Sequence, residues 1–502
     1  MTTKFLATLA SAALAIETLA GGQQPAETKR PLAIAAMPAR TAAMVLRNAT
    51  PVSVDFAMLA ALQPAERLAL TVSPTVELAG VVQRIESRGN GRFSVFGRID
   101  DDPDGYFILT VEDGVCAAIF DAPRRGEVHE LRYLDDGLSQ IARVERRGAP
   151  ECGLRPDNAG KPAAAAHEKS PFDGVDVRSY PHAALRGVCA DPGERLDVII
   201  AYTQLAKAQA GGTTAAIQAV AQNAVDTANQ TYQASGINPR LFLLFTKQVP
   251  YNESANMIDD RDALADPNDN QMDQLHADRD EFGADVVCLF VGQVSSDAGI
   301  SFCTPNGATE GFCVVRQDQA VSNFSFAHEI GHLQGCAHDF ANAGIGCNET
   351  CYAYGWRFFG NSGQGWRTVM AYDNNAGDYT RIGKFSSPNV FFDGQPTGND
   401  NSPCIINENN VRNINNTALS RESWRMPKFD VWVESGAPAP WGGTWRFPLP
   451  TVALGVANVY AGTRTPILQP TLNVKAGTYN ETMTISTPMT IRSCGGAATI
   501  GG

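Results

Sequence analysis

The stretch that most constrains this chain is His328-Glu329-Ile330-Gly331-His332-Leu333-Gln334-Gly335-Cys336-Ala337-His338-Asp339, with the spacing H-E-x-x-H-x-x-G-x-x-H-D. Histidines at i and i+4 lie on one face of a helix, one turn apart, and can bind one zinc ion together. Glu329 sits beside the first of them, where it can take a proton from water whose pKa zinc lowers to about 7. A third ligand is still needed. In a continued helix His338 would be turned roughly 240° from His332 and carried about 9 Å along the axis. The helix must therefore stop, and Gly335 can take the positive φ that ends it. His338 then returns to the metal. Three protein nitrogens leave a fourth position open, the mark of a catalytic rather than a structural zinc. The chain has 7 histidines and three fall here, which argues against an amphipathic helix with incidental histidines.

The segment resembles the zinc signature of the metzincin metalloendopeptidases. That family carries a methionine turn downstream, and Thr368-Val369-Met370-Ala371-Tyr372 is similar to it. The resemblance implies that Met370 is a hydrophobic floor beneath His328, His332 and His338. It also implies hydrolysis of peptide bonds in protein or peptide substrates. Asp339, after the third histidine, resembles the adamalysin or reprolysin branch. Tyr372 departs from that branch and is similar to astacins and serralysins, where such a tyrosine assists the transition state. The other reading of Tyr372 is a wall residue of the substrate cleft.

At 502 residues the chain has room for two to four domains. The net charge, 40 − 53 = −13, disfavours nucleic acid as a partner. No basic run suggests a membrane surface, and no apolar stretch reaches the ~18 residues of a spanning helix. Residues 1–20 read as a secretory signal, with Lys4, an apolar run over 5–16, and Thr18-Leu19-Ala20 as the cleavage site. A secreted monomer is expected. Eleven cysteines suit an oxidising compartment, and the odd count implies at least one unpaired or intermolecular thiol.

Alternation over 81–86, 92–99, 106–111 and 116–120 predicts a meander of antiparallel strands within 21–157. This region is similar to the propeptides of bacterial secreted metzincins. It ends in Pro150-Glu151-Cys152-Gly153-Leu154-Arg155-Pro156-Asp157. That segment resembles the cysteine switch of matrix metalloproteinases, P-R-C-G-x-P-D, with one residue more before Pro-Asp and Glu151 where the motif has arginine. A thiolate is a soft zinc ligand, so Cys152 can fill the fourth position and keep a zymogen silent. The alternative is a disulfide from Cys152 to Cys116 or Cys189. Residues 158–193 read as an exposed linker holding the maturation site.

The catalytic domain is expected over 194–430. Buried-type strands are predicted at 196–202, 241–245 and 284–291, with helices over 213–234 and 269–282. This alternation predicts an α/β (α+β) domain with a mixed, mostly parallel sheet. Residues 298–303 resemble the edge strand that borders the metzincin cleft, on which an extended peptide can add as a further strand. The zinc helix is predicted over 322–334 and a final helix over 410–424. Cys303, Cys313, Cys336, Cys347, Cys351 and Cys404 read as structural disulfides, with a Cys303–Cys313 closure as one pairing. Residues 385–390 are similar to the outer wall of the family's S1′ pocket, which makes Pro388 a wall candidate. Calcium near Asp373-Asn374-Asn375 is a further option. Residues 437–502 read as a small β region, resembling the first coils of a parallel β-helix. Two other functions stand beside the peptidase: a binding protein acting through its C-terminal β region, and a zinc enzyme acting on a non-peptide bond.

Overall fold

A computed structural model describes residues 30–31, 49–73, 75–135, 137–154, 194–303, 307–344, 350–373, 377–462 and 469–501. The signal segment and the 158–193 linker lie outside these residues, as do Cys189, Cys347, Asn374 and Asn375.

The N-terminal part is one sheet. Its strands are β1 (Arg30–Pro31), β2 (Ala49–Val52), β3 (Arg67–Ser73), β4 (Val76–Gly89), β5 (Arg92–Ile99), β6 (Tyr106–Glu112), β7 (Val115–Ala122), β8 (Glu127–Asp135) and β9 (Leu138–Arg143), in the order β1-β3-β4-β5-β6-β7-β8-β9-β2. The pairing from β3 to β9 is antiparallel throughout, as the alternation predicts. A short helix, α1 (Phe56–Ala60), is capped by Asp55. The central strands are buried on both faces. Phe107, Leu109 and Phe120 point into this region's own core. Phe96, Ile108 and Ile119 point the other way and join the core of the region that follows. That explains why β7 is buried along its whole length, where a half-exposed strand would alternate.

The central region begins with β10 (Arg195–Tyr202) and α2 (Gln204–Gln209). α3 (Thr214–Ser235) follows, with Thr213 accepting from Ala216 N at its start and Gly236 in the left-handed region at its end. The chain continues through β11 (Arg240–Gln248), α4 (Met257–Ala265), α5 (Gln274–Phe282), β12 (Val286–Val291), β13 (Gly299–Ser301) and β14 (Phe312–Arg316). The sheet order is β11-β10-β12-β14-β13, parallel except for the edge strand β13. This is the mixed, mostly parallel sheet expected. The helix expected over 269–282 starts only at Gln274. Two buried charged contacts fix the N-terminal sheet against this region. Arg146 pairs with Asp121 and donates to Ser322 O. Asp226 of α3 accepts from Ser94 and Thr110 of the N-terminal sheet.

Beyond α6 (Ser325–Leu333), the chain is mostly irregular. It forms a sheet of β15 (Arg357–Phe359), β16 (Gly365–Arg367) and β17 (Tyr379–Arg381), a ribbon of β18 (Phe391–Phe392) and β19 (Gln395–Pro396), and α7 (Asn410–Glu422). Cys351 and Cys404 are bridged. Cys303 is also disulfide-bonded, but Cys313 is a buried thiol, so the Cys303–Cys313 closure is corrected. The reason is register: Cys313 lies inside the sheet opposite Cys288, while Cys303 lies past the end of β13. Cys336 is likewise a buried thiol rather than part of a disulfide. The same holds for Cys116 and Cys152, which removes the disulfide reading of Cys152. At the C-terminus β20 (Asp430–Val433), β21 (Thr471–Tyr479) and β22 (Thr490–Ile500) stack in parallel, with α8 (Val452–Asn458) against them. The first strand of this stack precedes the expected boundary at 437.

Candidate metal centre

The site is assembled on α6. Gly335 takes φ 82°, ending the helix, and Cys336 N bonds back to Gly331 O at 3.0 Å. The chain then brings His338 back beneath the helix. The three Nε2 atoms stand 3.1 Å (His328–His332), 3.2 Å (His328–His338) and 2.9 Å (His332–His338) apart. Each ring is held by its other nitrogen. Nδ1 of His328 donates to Val369 O at 2.8 Å, that of His332 to Cys336 O at 2.8 Å, and that of His338 to Asn342 O at 3.3 Å. A carbonyl accepts and cannot donate, so each Nδ1 carries the proton and each Nε2 offers its lone pair to a shared centre. Burial favours the neutral rings. It lowers His332 to about 4, and with the positive charge of its neighbours it holds His328 well below the usual imidazole range.

Met370, fully buried, lies under this helix. A methyl group at Gly331 would stand 2.7 Å from Met370 Sδ and 3.1 Å from a Phe385 ring carbon, so only glycine lets the two come this close. Asp339 ties the returning loop to the methionine turn. Its carboxylate accepts from Tyr372 N at 3.0 Å, from Arg357 at 2.9 Å and from Asn342 at 3.0 Å. The two residues that resemble different branches, Asp339 and Tyr372, are thus direct partners here. The Tyr372 ring packs on His338 with centroids 4.0 Å apart.

Glu329 is fully buried, with Oε2 3.6 Å from Cys152 Sγ. Burial pushes its carboxyl up to about 8. Cys152 Sγ is also 3.9 Å from His332 Nε2. The ligand atoms of Cys152, His328, His332 and His338 all lie within 4.8 Å of one another. Burial, reinforced by the Glu329 charge, raises the Cys152 thiol well above its ordinary value. The donor set fits zinc: a tetrahedral ion at about 2.0–2.1 Å from its nitrogens sets them about 3.3 Å apart, close to the spacing seen.

Cys152 arrives on a segment laid along the edge strand β13. It bridges Gly299 of β13 in parallel. Ala298 N donates to Glu151 O and Gly153 N to Gly299 O, both at 2.7 Å. The Tyr372 hydroxyl donates between Cys152 O at 2.8 Å and Leu154 O at 2.9 Å. Glu151 pairs with Arg367 at 2.7 Å and Arg381 at 2.5 Å, and its carboxylate accepts from Asp373 N at 3.2 Å. The two arginines outweigh burial and hold this carboxyl below its usual value.

Residues 193–386 match the reprolysin-type profile of Metallo-peptidase family M12. A peptidyl-Asp metalloendopeptidase of Stenotrophomonas maltophilia strain K279a is 30% identical over 311 residues, covering 61% of this chain and 70% of that protein. The chain belongs to the reprolysin-like M12 metallopeptidases. The same name is carried by a relative in S. maltophilia strain R551-3, 35% identical over 214 residues, 42% of this chain and 50% of that protein. A third, from Xanthomonas campestris, is 30% identical over 286 residues, 56% and 63% of the two chains. The match thus spans about half the length of the R551-3 relative. The M12 match takes in all three histidines, Met370 and Tyr372. Membership in this family implies a metal, and among the described residues the cluster around α6 can hold one.

Seven of the eight residues singled out from sequence come together: His328, His332, His338, Glu329, Met370, Tyr372 and Cys152. Pro388 does not join them. It sits half-buried in the turn after Phe385, and Phe385 is the residue that meets the helix. Of the calcium candidate only Asp373 is described, and its backbone N–H serves Glu151. Sequence reasoning missed Arg367, Arg381 and the partners of Asp339. Glu151 was visible only as a departure from a motif.

Among the described residues no helix is long and apolar enough to cross a membrane.

Proposed function

We propose that this chain is the latent form of a secreted, zinc-dependent metzincin endopeptidase acting on protein substrates. The observation that carries the reading is the Cys152 thiol facing three converging Nε2 atoms beside a buried glutamate. His328, His332 and His338 would hold the zinc, with Cys152 as fourth ligand until the N-terminal region is removed by cleavage within 158–193. Zinc supplies Lewis acidity, polarising the scissile carbonyl and making water acidic enough to attack near neutral pH. Glu329 takes the proton of the attacking water and gives it to the leaving amine nitrogen. Tyr372 gives up the carbonyls of Cys152 and Leu154 when the segment leaves, and its hydroxyl can then donate to the oxygen of the scissile carbonyl. Met370 supports the helix from below. Substrate adds to β13 as an extended strand, the place that residues 151–153 occupy in the latent chain. The relatives are named for an aspartyl residue, and we take a substrate with an acidic side chain at the cleavage site to be the preferred one.

The test uses matured protein and casein. Hydrolysis is expected to vanish with a chelator, return with zinc, and be absent in Glu329→Ala. Full activity in Glu329→Ala would refute the mechanism.

A further inference from the structure

The two arginines that hold Glu151 need an explanation of their own. Arg367 and Arg381 are directly opposite each other in the parallel pair β16–β17. Their side chains are 0% and 1% exposed. Like charges facing each other across a ladder destabilise a sheet, and burying them without an anion destabilises it further. Asp373 adds a weaker attraction on Arg367 than Glu151 does, and their other hydrogen-bond acceptors are neutral. Arg367 donates to Ala371 O and Tyr379 O, and Arg381 to Asn323. Arg367 Nη2 and Arg381 Nε are buried and find no hydrogen-bond partner. The pair is therefore a built anion pocket with donor capacity to spare, and Glu151 fills it. Glu151 immediately precedes Cys152, so the pocket lies one residue from the metal centre. Once residues 151–154 leave, it faces the cleft with no carboxylate from that segment.

We propose that Arg367 and Arg381 are the specificity-determining residues of this peptidase, reading a carboxylate side chain next to the scissile bond, and that Glu151 is the stand-in for that side chain in the latent chain. The proposal rests on the peptidase reading above. It accounts for a glutamate where the cysteine-switch motif has arginine: in this chain the arginines are on the enzyme and the acid is on the inhibitory segment. Latency then has two points of attachment, a thiol on the metal and a carboxylate in the pocket.

The experiment uses the matured protein with matched peptides carrying Asp, Glu, Asn or Ala at each position flanking the bond. The wild type should favour Asp over Asn by on the order of 100-fold or more in kcat/KM, since a pocket built for a charged partner leaves buried donors unpaired when that partner is missing. In Arg367→Met and in Arg381→Met that ratio should fall toward one, and Arg381→Lys should recover part of it. Circular dichroism and thermal unfolding identify any variant that has lost its fold. A second readout is calorimetric binding of an Asp-containing product peptide to zinc-free wild type and zinc-free Arg variants, expected to weaken in the variants. A ratio that persists in folded variants, or a wild type indifferent to Asp, overturns the proposal. If the matured protein cleaves nothing, the peptidase reading fails while the zinc-free binding still decides the pocket. The third arm is Glu151→Gln in the unprocessed chain, whose matured product is identical to wild type. Its Cys152 should react with a thiol reagent at least 10-fold faster than in the wild-type latent chain. An unchanged rate removes Glu151 from the latch.

Discussion

Replacing Gly331 with alanine tests whether the helix and the methionine turn meet as described. The added methyl would land 2.7 Å from Met370 Sδ and 3.1 Å from Phe385, inside a fully buried layer. Overpacking of this kind costs about 1–3 kcal/mol, toward the lower end here because methionine is flexible. Alanine in a helix interior recovers about 0.5–1 kcal/mol relative to glycine. The balance predicts a net loss of about 0–2 kcal/mol, or a drop of roughly 2–4 °C per kcal/mol for a domain of this size. The magnitude is modest, but the sign is diagnostic in a double-mutant cycle. In a Met370→Ala background the 2.7 Å contact is gone and only the 3.1 Å approach to Phe385 opposes the helix-propensity gain, so Gly331→Ala should there cost less than with Met370 present and can raise stability by up to about 0.5–1 kcal/mol. Denaturant unfolding of the zinc-loaded matured protein gives all four corners of the cycle. If Gly331→Ala has the same effect with Met370 present and absent, the two residues do not touch and Met370 is no floor.

Three more expectations follow from the same contacts. Asp339→Ala removes the acceptor shared by Tyr372 N and Arg357 and should lower zinc affinity on the order of 10–100-fold, with Asp339→Asn milder; competition with a fluorescent chelator checks it, and an unchanged affinity would detach Asp339 from the site. Cys152→Ser should let the unprocessed chain hydrolyse casein to part of the matured level, whereas a silent variant would mean the thiol is not the block. Asp226 concerns the seam between the N-terminal sheet and α3. Burial raises its carboxyl, opposed first by Arg88 and then by hydrogen bonds from Ser94 and Gln222, with Glu86 adding to the rise. A carboxyl raised in the folded state contributes stability below its ordinary pKa of about 4 and loses it as pH climbs through the raised value. Asp226→Asn should therefore stabilise the unprocessed chain at pH 7 and flatten the fall in stability as pH rises above about 4; the same slope in both proteins would refute this.

How much could be read in advance depended on how local the signal was. The helix, its end at Gly335 and the return of His338 are consequences of spacing within twelve residues, and they appear as expected. Met370 and Cys152 were found by short motifs, although only the fold puts their side chains next to α6. Strand alternation showed the N-terminal meander, but not that its central strands would be buried on both faces against α3. The Cys303–Cys313 closure failed because nearness in sequence says nothing about which thiol a strand carries into the sheet. The arginine pocket was hidden for a related reason. Arg367 and Arg381 belong to three-residue strands, too short to show periodicity, and they meet only through the register of a parallel pair. Their partner Glu151 comes from a segment more than two hundred residues earlier.

The central claim is a zinc ion held by three histidines and one cysteine in the latent chain. X-ray absorption at the zinc edge, on the unprocessed and the matured protein, measures that ligand set directly. The unprocessed protein should show one zinc per chain with three nitrogens and one sulfur at about 2.3 Å, and the matured protein oxygen in place of the sulfur. An unprocessed chain that binds no zinc, or binds it with no sulfur in its shell, would contradict the proposed ligand set.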